Sequence, residues 1–210
     1  MNVAKIVEIL KKTYSSEMFA EVNGREPYKV LVSCILSLRT KDETSYPASE
    51  RLFRLASTPK NMLKLTPKQI QKAIYPVCFY RVKSKTLLDI SKKLLDEYKG
   101  KVPDTIDELL KFNGVGRKTA NIVVTYGFNK PGIAVDTHVH RISNRLGLVN
   151  TKTPYETEFA LRKKLPKKYW IPINELLVRH GQAICKPISP MCSKCPIHRY
   201  CKRVGVGKSR

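Results

Sequence analysis

Residues 109–128 read LLKFNGVGRKTANIVVTYGF, and this stretch decides the fold. The pattern predicts the end of one helix, a Gly-Val-Gly hairpin at Gly114, Val115 and Gly116, and a new helix that begins at Arg117. Two glycines let the chain turn tightly and let an anion approach the backbone amides. The following helix adds free N–H groups and its positive dipole end. The segment is therefore typical of a phosphate-binding turn.

Nucleotide phosphates are poor candidates for this turn. A P-loop needs glycine directly before its lysine, but Arg117 precedes Lys118. The dinucleotide fingerprint fails because Thr119 stands where its third glycine belongs and no strand leads in. A plain connection between two helices stays open on this segment alone, and the charge of the chain favours a nucleic-acid backbone.

The rest of the chain predicts an all-α fold. Val3, Ile6, Val7 and Leu10 repeat at helical spacing. Thr-Pro pairs begin at Thr58, Thr66 and Thr153, and each offers an N-cap followed by proline at the first helical position. No run alternates apolar and polar residues as strands do, so little sheet is expected.

Composition indicates a polyanionic partner. The 210 residues carry 40 Lys and Arg against 17 Asp and Glu, a formal net charge of +23. Such a charge favours nucleic acid ahead of an anionic membrane. From Thr151 to Arg210, 14 basic residues face three acids, which makes this the most basic third.

The compartment expected is a reducing cytosol, in association with the nucleoid. The longest apolar stretch, Val30 to Leu38, is far shorter than the roughly 20 residues of a membrane span. The first helix is amphipathic and differs from a signal peptide. No membrane partner is expected.

Four cysteines lie in the basic third, as C-x6-C-x2-C-x5-C at Cys185, Cys192, Cys195 and Cys201. Disulfides are disfavoured in the cytosol, where clustered cysteines bind metal or do redox work. Structural zinc commonly uses two close pairs, and this segment has one. The spacing favours an iron–sulfur cluster, with zinc as the alternative. Cys34 and Cys78 stand in apolar surroundings and are expected in the core.

Asp136 precedes a helical pattern, so its simplest role is an N-cap. His138 and His140 lie close by in the sequence. Residues two apart on a helix face different ways, so Asp136 could share a face with His140 but not with His138 as well. A metal site there is disfavoured.

Three motifs in this order carry a resemblance: GVGRKTAN, AVDTHVHRI and the cysteine spacing. Together they resemble the helix-hairpin-helix DNA glycosylase superfamily, and within it the endonuclease III type. The similarity runs from about Pro27 to Cys201. It implies that the four cysteines hold a [4Fe–4S] cluster.

The resemblance also implies the architecture and the partner. A six-helix barrel domain is expected over 20–130, with an iron–sulfur domain that joins 1–19 to 131–210. Damaged double-stranded DNA is the expected partner, bound by a monomer across a cleft between the domains.

The catalytic residues implied are Lys118 and Asp136. In the family the matching lysine attacks C1′ of the damaged nucleotide, forms a Schiff base and cleaves the strand on the 3′ side by β-elimination. The matching carboxylate assists the nucleophile and stabilises positive charge at the sugar. Oxidised pyrimidines of the thymine glycol type are the expected substrates in base excision repair.

DNA contacts are expected from the hairpin and from two side chains that fill the space left by a flipped nucleotide. Arg39 stands where many bacterial members have glutamine, and Phe79 stands where leucine is common. The expected DNA-binding residues are Gly114, Val115, Gly116, Arg117, Thr119, Arg39, Phe79 and Lys194.

Two other functions stay open at this point. One is a monofunctional mismatch or adenine-type glycosylase on the same scaffold, which Lys118 disfavours because such relatives often lack this lysine. The other is a non-catalytic iron–sulfur DNA-binding protein.

Overall fold

The computed structural model describes residues 2–14 and 26–210, and the regular structure in them is helical throughout. The all-α prediction is confirmed. The α-helices are α1 Val3–Thr13, α2 Pro27–Ser37, α3 Asp42–Leu55, α4 Pro59–Met62, α5 Pro67–Ile74, α6 Tyr80–Tyr98, α7 Ile106–Leu109, α8 Arg117–Ile122, α9 Thr137–Leu146, α10 Pro154–Lys164 and α11 Trp170–Ala183. A π-helical turn, Val123–Gly127, extends α8, and short 3₁₀ turns span Lys167–Tyr169, Cys192–Lys194 and His198–Tyr200.

The chain forms two compact units. The hairpin unit is Val22–Lys130, and the cysteine unit joins Met1–Glu21 to Pro131–Arg210. The junction between Glu21 and Val22 lies outside the residues that the structure describes. Among the described helices, none is both long enough and apolar enough to cross a bilayer.

The hairpin unit is built around α2, whose apolar stretch is buried on nearly every side. Leu31, Val32 and Leu36 have no exposed surface. The helix packs against α3, α6, α8 and the π turn. A helix this apolar needs a shell of neighbours, and the helices that follow it along the chain supply that shell.

Helix starts follow the local chemistry that the Thr-Pro pairs predict. Thr58, Thr66 and Thr153 each accept a hydrogen bond from the third helical N–H, with proline in the first turn. At Thr66 the side chain of Gln69 returns a bond to the cap, which completes a capping box. These predictions are confirmed.

The cysteine unit is discontinuous in sequence. Ile6, Val7 and Leu10, on one face of α1, are buried in the same apolar cluster as Leu176 and Leu177 of α11. The hydroxyl of Tyr14 lies 2.9 Å from Nδ1 of His180. The first helix of the chain is thereby built into the unit that contains the cysteines.

Candidate nucleic-acid interface and cysteine site

The hairpin between α7 and α8 contains two glycines, and the absence of a side chain has a different structural consequence at each. Gly114 adopts φ +80°, and a Cβ there would meet Cγ2 of Thr86 at 3.2 Å. This position is strained for any other residue. Gly116 has φ −94° and nothing within 4 Å of an added Cβ, so it faces open space. A phosphate group could occupy that space.

Exposure alternates along the hairpin. Gly114, Gly116 and Lys118 are exposed, whereas the side chains of Val115 and Thr119 are buried. Any contact that Val115 or Thr119 made with an anion would therefore come from its backbone. The hairpin therefore presents main-chain amides next to the buried side chain of Val115. The exposed Lys118 follows them in the first turn of α8.

Phe112 stabilises this turn through the packing of its buried side chain. Its side chain is 2% exposed, and its ring centroid lies 5.2 Å from that of Tyr98. The Nζ of Lys93 lies 5.4 Å from the same ring centroid and also donates to the carbonyl of Lys111 at 3.0 Å. The Phe112-Asn113 sequence thus supports the hairpin by packing.

Asp136 is the N-cap of α9, as predicted. Its Oδ1 accepts the N–H of Val139 at 2.8 Å, which fixes one oxygen of a half-buried carboxylate. Nδ1 of His140 lies 2.7 Å from Oγ1 of Thr157, and Nδ1 of His138 lies 3.1 Å from Nη2 of Arg141. Each of the two imidazoles therefore has a polar protein partner.

Arg39 and Phe79 lie together on two neighbouring loops of the hairpin unit. Both side chains are exposed, and Cζ of Arg39 lies 5.9 Å from the centroid of the Phe79 ring. Both residues adopt left-handed backbone, with φ of 55° and 57°. The structure thus brings the two predicted insertion residues into one exposed pair.

All four clustered cysteines line one depression that is partly open to solvent. Its other walls include the apolar side chains of Ile142, Leu146, Ile184 and Ile197. Burial, with smaller contributions from the three neighbouring thiols, raises the pKa of Cys195 to about 11. Burial also raises the pKa of Cys201. Four thiolates in one partly buried depression would repel one another and need positive charge between them.

N–H groups point at the sulfurs of two of these cysteines, and a ring nitrogen lies near a third. Nη1 of Arg145 donates to Sγ of Cys185 at 3.3 Å, and the backbone N–H of Arg203 donates to Sγ of Cys201 at 3.4 Å. Nε2 of His180 lies 3.6 Å from Sγ of Cys195. Such contacts suit sulfur that carries negative charge.

Four thiols that line one depression could hold either of the two groups that their spacing leaves open, an iron–sulfur cluster or zinc.

Lys194, the last predicted DNA contact, lies in the 3₁₀ turn between Cys192 and Cys195 and is exposed. Arg199 and Lys202 are exposed in the same segment. Their placement on the outer side of the cysteine loop makes the loop a basic surface.

Sequence reasoning missed several residues and misplaced one. Cys78 is exposed, so its assignment to the core is wrong, because it lies in a loop between α5 and α6. Lys83 is buried at 6% exposure, although a lysine is ordinarily expected at the surface. His180 and Arg145 contact cysteine sulfur, and no local pattern marks them because their partners lie 15 and 40 residues away.

Comparison with known proteins gives a consistent result. Residues 32–167 match the model of the "HhH-GPD superfamily base excision DNA repair protein" family. The chain is 49% identical over 188 residues to endonuclease III of Thermotoga maritima, covering 88% of each chain. It is 38% identical to endonuclease III of Bacillus subtilis, covering 87% of this chain and 84% of that one.

Solved structures agree with the sequence comparisons. A trapped covalent intermediate of endonuclease III with DNA matches with a TM-score of 0.83 and 33% identity, over 96% of this chain and 95% of that one. A thermostable thymine-DNA glycosylase has the same fold, with a TM-score of 0.83 at 23% identity and coverage of 97% and 98%. The chain belongs to the HhH-GPD superfamily of base excision DNA repair proteins.

Proposed function

We propose that the chain removes oxidised pyrimidines from double-stranded DNA and then cleaves the strand at the resulting abasic site, with Lys118 as the nucleophile. The family and the endonuclease III relatives make it a DNA glycosylase/lyase of base excision repair. The observation that carries the finer proposal is an exposed lysine in the first turn of α8, two residues after the second of two exposed hairpin glycines. Phosphate bound at those amides would hold the sugar backbone beside an amine.

The reaction at Lys118 balances without a further reagent. Nζ forms a bond to C1′ as the bond from C1′ to the damaged base breaks, and the base leaves with the electron pair and takes up a proton. The sugar ring then opens to a Schiff base, with the proton of the amine passed to the ring oxygen. Loss of a proton from C2′ expels the 3′ phosphate, which is β-elimination. A relative has been trapped as a covalent intermediate with DNA, which supports this route.

Asp136 is proposed as the carboxylate that assists Lys118 and stabilises positive charge at the sugar. Its N-cap bond to Val139 fixes the carboxylate in one orientation. A fixed negative group costs no reorganisation when charge develops in the transition state. The hydrogen bond that caps α9 therefore also holds the Asp136 carboxylate in place before the reaction begins.

Cys185, Cys192, Cys195 and Cys201 are proposed to hold a [4Fe–4S] cluster. The shared depression, its apolar walls and the N–H groups aimed at sulfur fit such a cluster. When bound, the cluster cross-links the loop that carries Lys194. Held in this way, the loop presents its cations to DNA phosphates.

The resemblance supports three further proposals about the working protein. It acts as a monomer, it binds duplex DNA, and it works in the cytoplasm at the nucleoid. Endonuclease III has been seen in complexes with DNA, which supports DNA as the partner.

Borohydride trapping tests the proposed function. Wild-type protein mixed with a duplex that contains thymine glycol or an abasic site should give a covalent adduct, because borohydride reduces a Schiff base. Lys118→Gln should lose both the adduct and base release, while keeping its fold and its affinity for damaged DNA. Asp136→Asn should bind DNA and react about a hundredfold or more slowly.

Three results would contradict the proposal. An adduct of undiminished yield in Lys118→Gln would assign the nucleophile to another amine. Base release without any adduct in the wild type would favour a monofunctional glycosylase. Tight binding with neither reaction would favour a DNA-binding protein that has no catalytic role.

A further inference from the structure

Lys83 of α6 is the most fully buried lysine among the described residues, and its ammonium has three oxygen partners. It donates to the carbonyl of Leu36 at 2.8 Å, to the carbonyl of Leu38 at 2.6 Å and to Oγ1 of Thr40 at 3.3 Å. Burial lowers the pKa of Lys83 to about 8, and Cys78 opposes the shift. The amine thus stays mostly protonated at neutral pH and can use three donors.

Two of these acceptors lie at the end of a helix, and the third lies beyond it. The Leu36 carbonyl belongs to the last turn of α2 and Leu38 is the C-cap, where a lysine commonly satisfies free carbonyls. Thr40 lies in the loop that follows, on the other side of Arg39 from Leu38. Lys83 therefore fixes the loop on both sides of Arg39 as well as the helix end.

Thr40 connects this loop to the loop that carries Phe79. Its Oγ1 accepts the backbone N–H of Cys78 at 3.2 Å in addition to the bond from Lys83. Arg51 secures the second loop through bonds to the carbonyls of Ala73 and Tyr75 at 2.9 and 2.6 Å. The two loops are thus joined through one threonine oxygen and one buried ammonium.

The two joined loops hold Arg39 and Phe79 in a backbone conformation that is unfavourable for either residue. Left-handed backbone is unfavourable for a non-glycine residue. Arg39 and Phe79 both adopt it, and neighbouring contacts must maintain it. The result is an exposed phenyl ring, 60% accessible, beside a guanidinium. Such a pair suits the inside of a base stack, since an aromatic ring stacks on bases and a cation meets their polar edges.

We propose that Lys83 and Thr40 are positioning residues that hold Arg39 and Phe79 as one preformed pair, which enters the duplex where the damaged nucleotide leaves. This proposal rests on the proposed function, because it assumes a nucleotide that is flipped before Lys118 reacts. Neither positioning residue needs to touch DNA. Substitution of either residue should slow the reaction only on a duplex, where the space left by the flipped nucleotide has to be filled.

The test compares two substrates that differ in this requirement. One is a duplex that contains thymine glycol, and the other is a single-stranded oligonucleotide with an abasic site, which has no partner strand and no hole. Lys83→Met and Thr40→Val remove the donors and the shared oxygen with little change of shape. Thr40→Ser keeps the oxygen, and Lys92→Met removes an exposed lysine from the same helix.

Single-turnover rates should separate the variants. Lys83→Met and Thr40→Val should react about ten- to a hundredfold more slowly on the duplex and within about twofold of wild type on the single strand. Thr40→Ser and Lys92→Met should stay near wild type on both substrates. A 2-aminopurine placed opposite the lesion should brighten on binding of wild type and brighten less with Thr40→Val.

The outcomes are decisive even if Lys83→Met does not fold, because the two Thr40 variants then carry the comparison. A full duplex rate in Thr40→Val, or equal losses on both substrates, would overturn the proposal. Failure of wild type on both substrates would instead overturn the proposed function.

Discussion

At the scale of single residues, the buried phenol of Tyr28 links the stability of the hairpin unit to alkaline pH. Its hydroxyl lies 2.7 Å from Oγ of Ser91, which itself donates to the carbonyl of Leu87 at 2.7 Å. Burial raises the pKa of Tyr28 to about 12 from its ordinary 10.0. The unfolded chain therefore loses this proton at lower pH than the folded protein does.

The direction of the pH effect on stability follows from the higher pKa of Tyr28 in the folded protein. Stability contributed by Tyr28 is complete below pH 10 and is lost as pH rises from 10 towards 12. Tyr28→Phe should be less stable than wild type at pH 8, and the difference should shrink by about 1 kcal/mol by pH 11. Urea unfolding at several pH values measures it. Tyr46→Phe, which removes an exposed phenol, is the control, and a constant gap for Tyr28→Phe would contradict the prediction.

At the scale of an element, the hairpin should bind phosphate through its backbone and not through charge. Gly116→Val adds a side chain into open space, so the fold should tolerate it. Binding to undamaged duplex should weaken about tenfold, because the added group keeps phosphate from the amides.

The salt dependence of binding separates this mechanism from loss of charge. The slope of log affinity against log salt should not change in Gly116→Val, since no cation is removed. Gly207→Val places the same side chain at another exposed glycine with open space and should bind as wild type does. Normal binding by Gly116→Val would make the hairpin a turn with no role in DNA contact.

At the scale of the whole molecule, the cysteine site should decide whether the basic loop is ordered. Purified protein should be brown and contain about four irons with matching sulfide. Cys195→Ser should lose colour and iron and bind DNA more weakly, because the loop that carries Lys194 would no longer be held. Cys78→Ser changes an exposed cysteine outside the site and is the matched control. Zinc without iron in anaerobically purified protein would contradict the cluster.

Local features of the fold could be predicted from the sequence because their causes are local. The caps at Thr66 and Asp136, the start of α8 at Arg117 and the buried stretch of α2 all depend on residues within one or two turns. The spacing of the four cysteines likewise indicated a shared site before any geometry was known.

The contacts that organise the sites could not be predicted, since they join distant parts of the chain. Lys83 reaches acceptors 43 to 47 residues away, and its polarity alone suggests a surface position. Tyr14 meets His180 across 166 residues, and nothing near either one marks the pair. Burial of a polar residue becomes favourable only when the fold supplies its partners.

The discontinuity of the cysteine unit sets an order of events during synthesis. The hairpin unit is continuous, so all its helices are synthesised before Pro131 is added. The apolar face of α1 is made before the hairpin unit, yet its partners on α11 are made more than 150 residues later. At a rate of about 5–20 residues per second this face lacks its native partners for roughly ten seconds or more. The core of the cysteine unit can therefore form only after α11 has been synthesised, well after the helices of the hairpin unit.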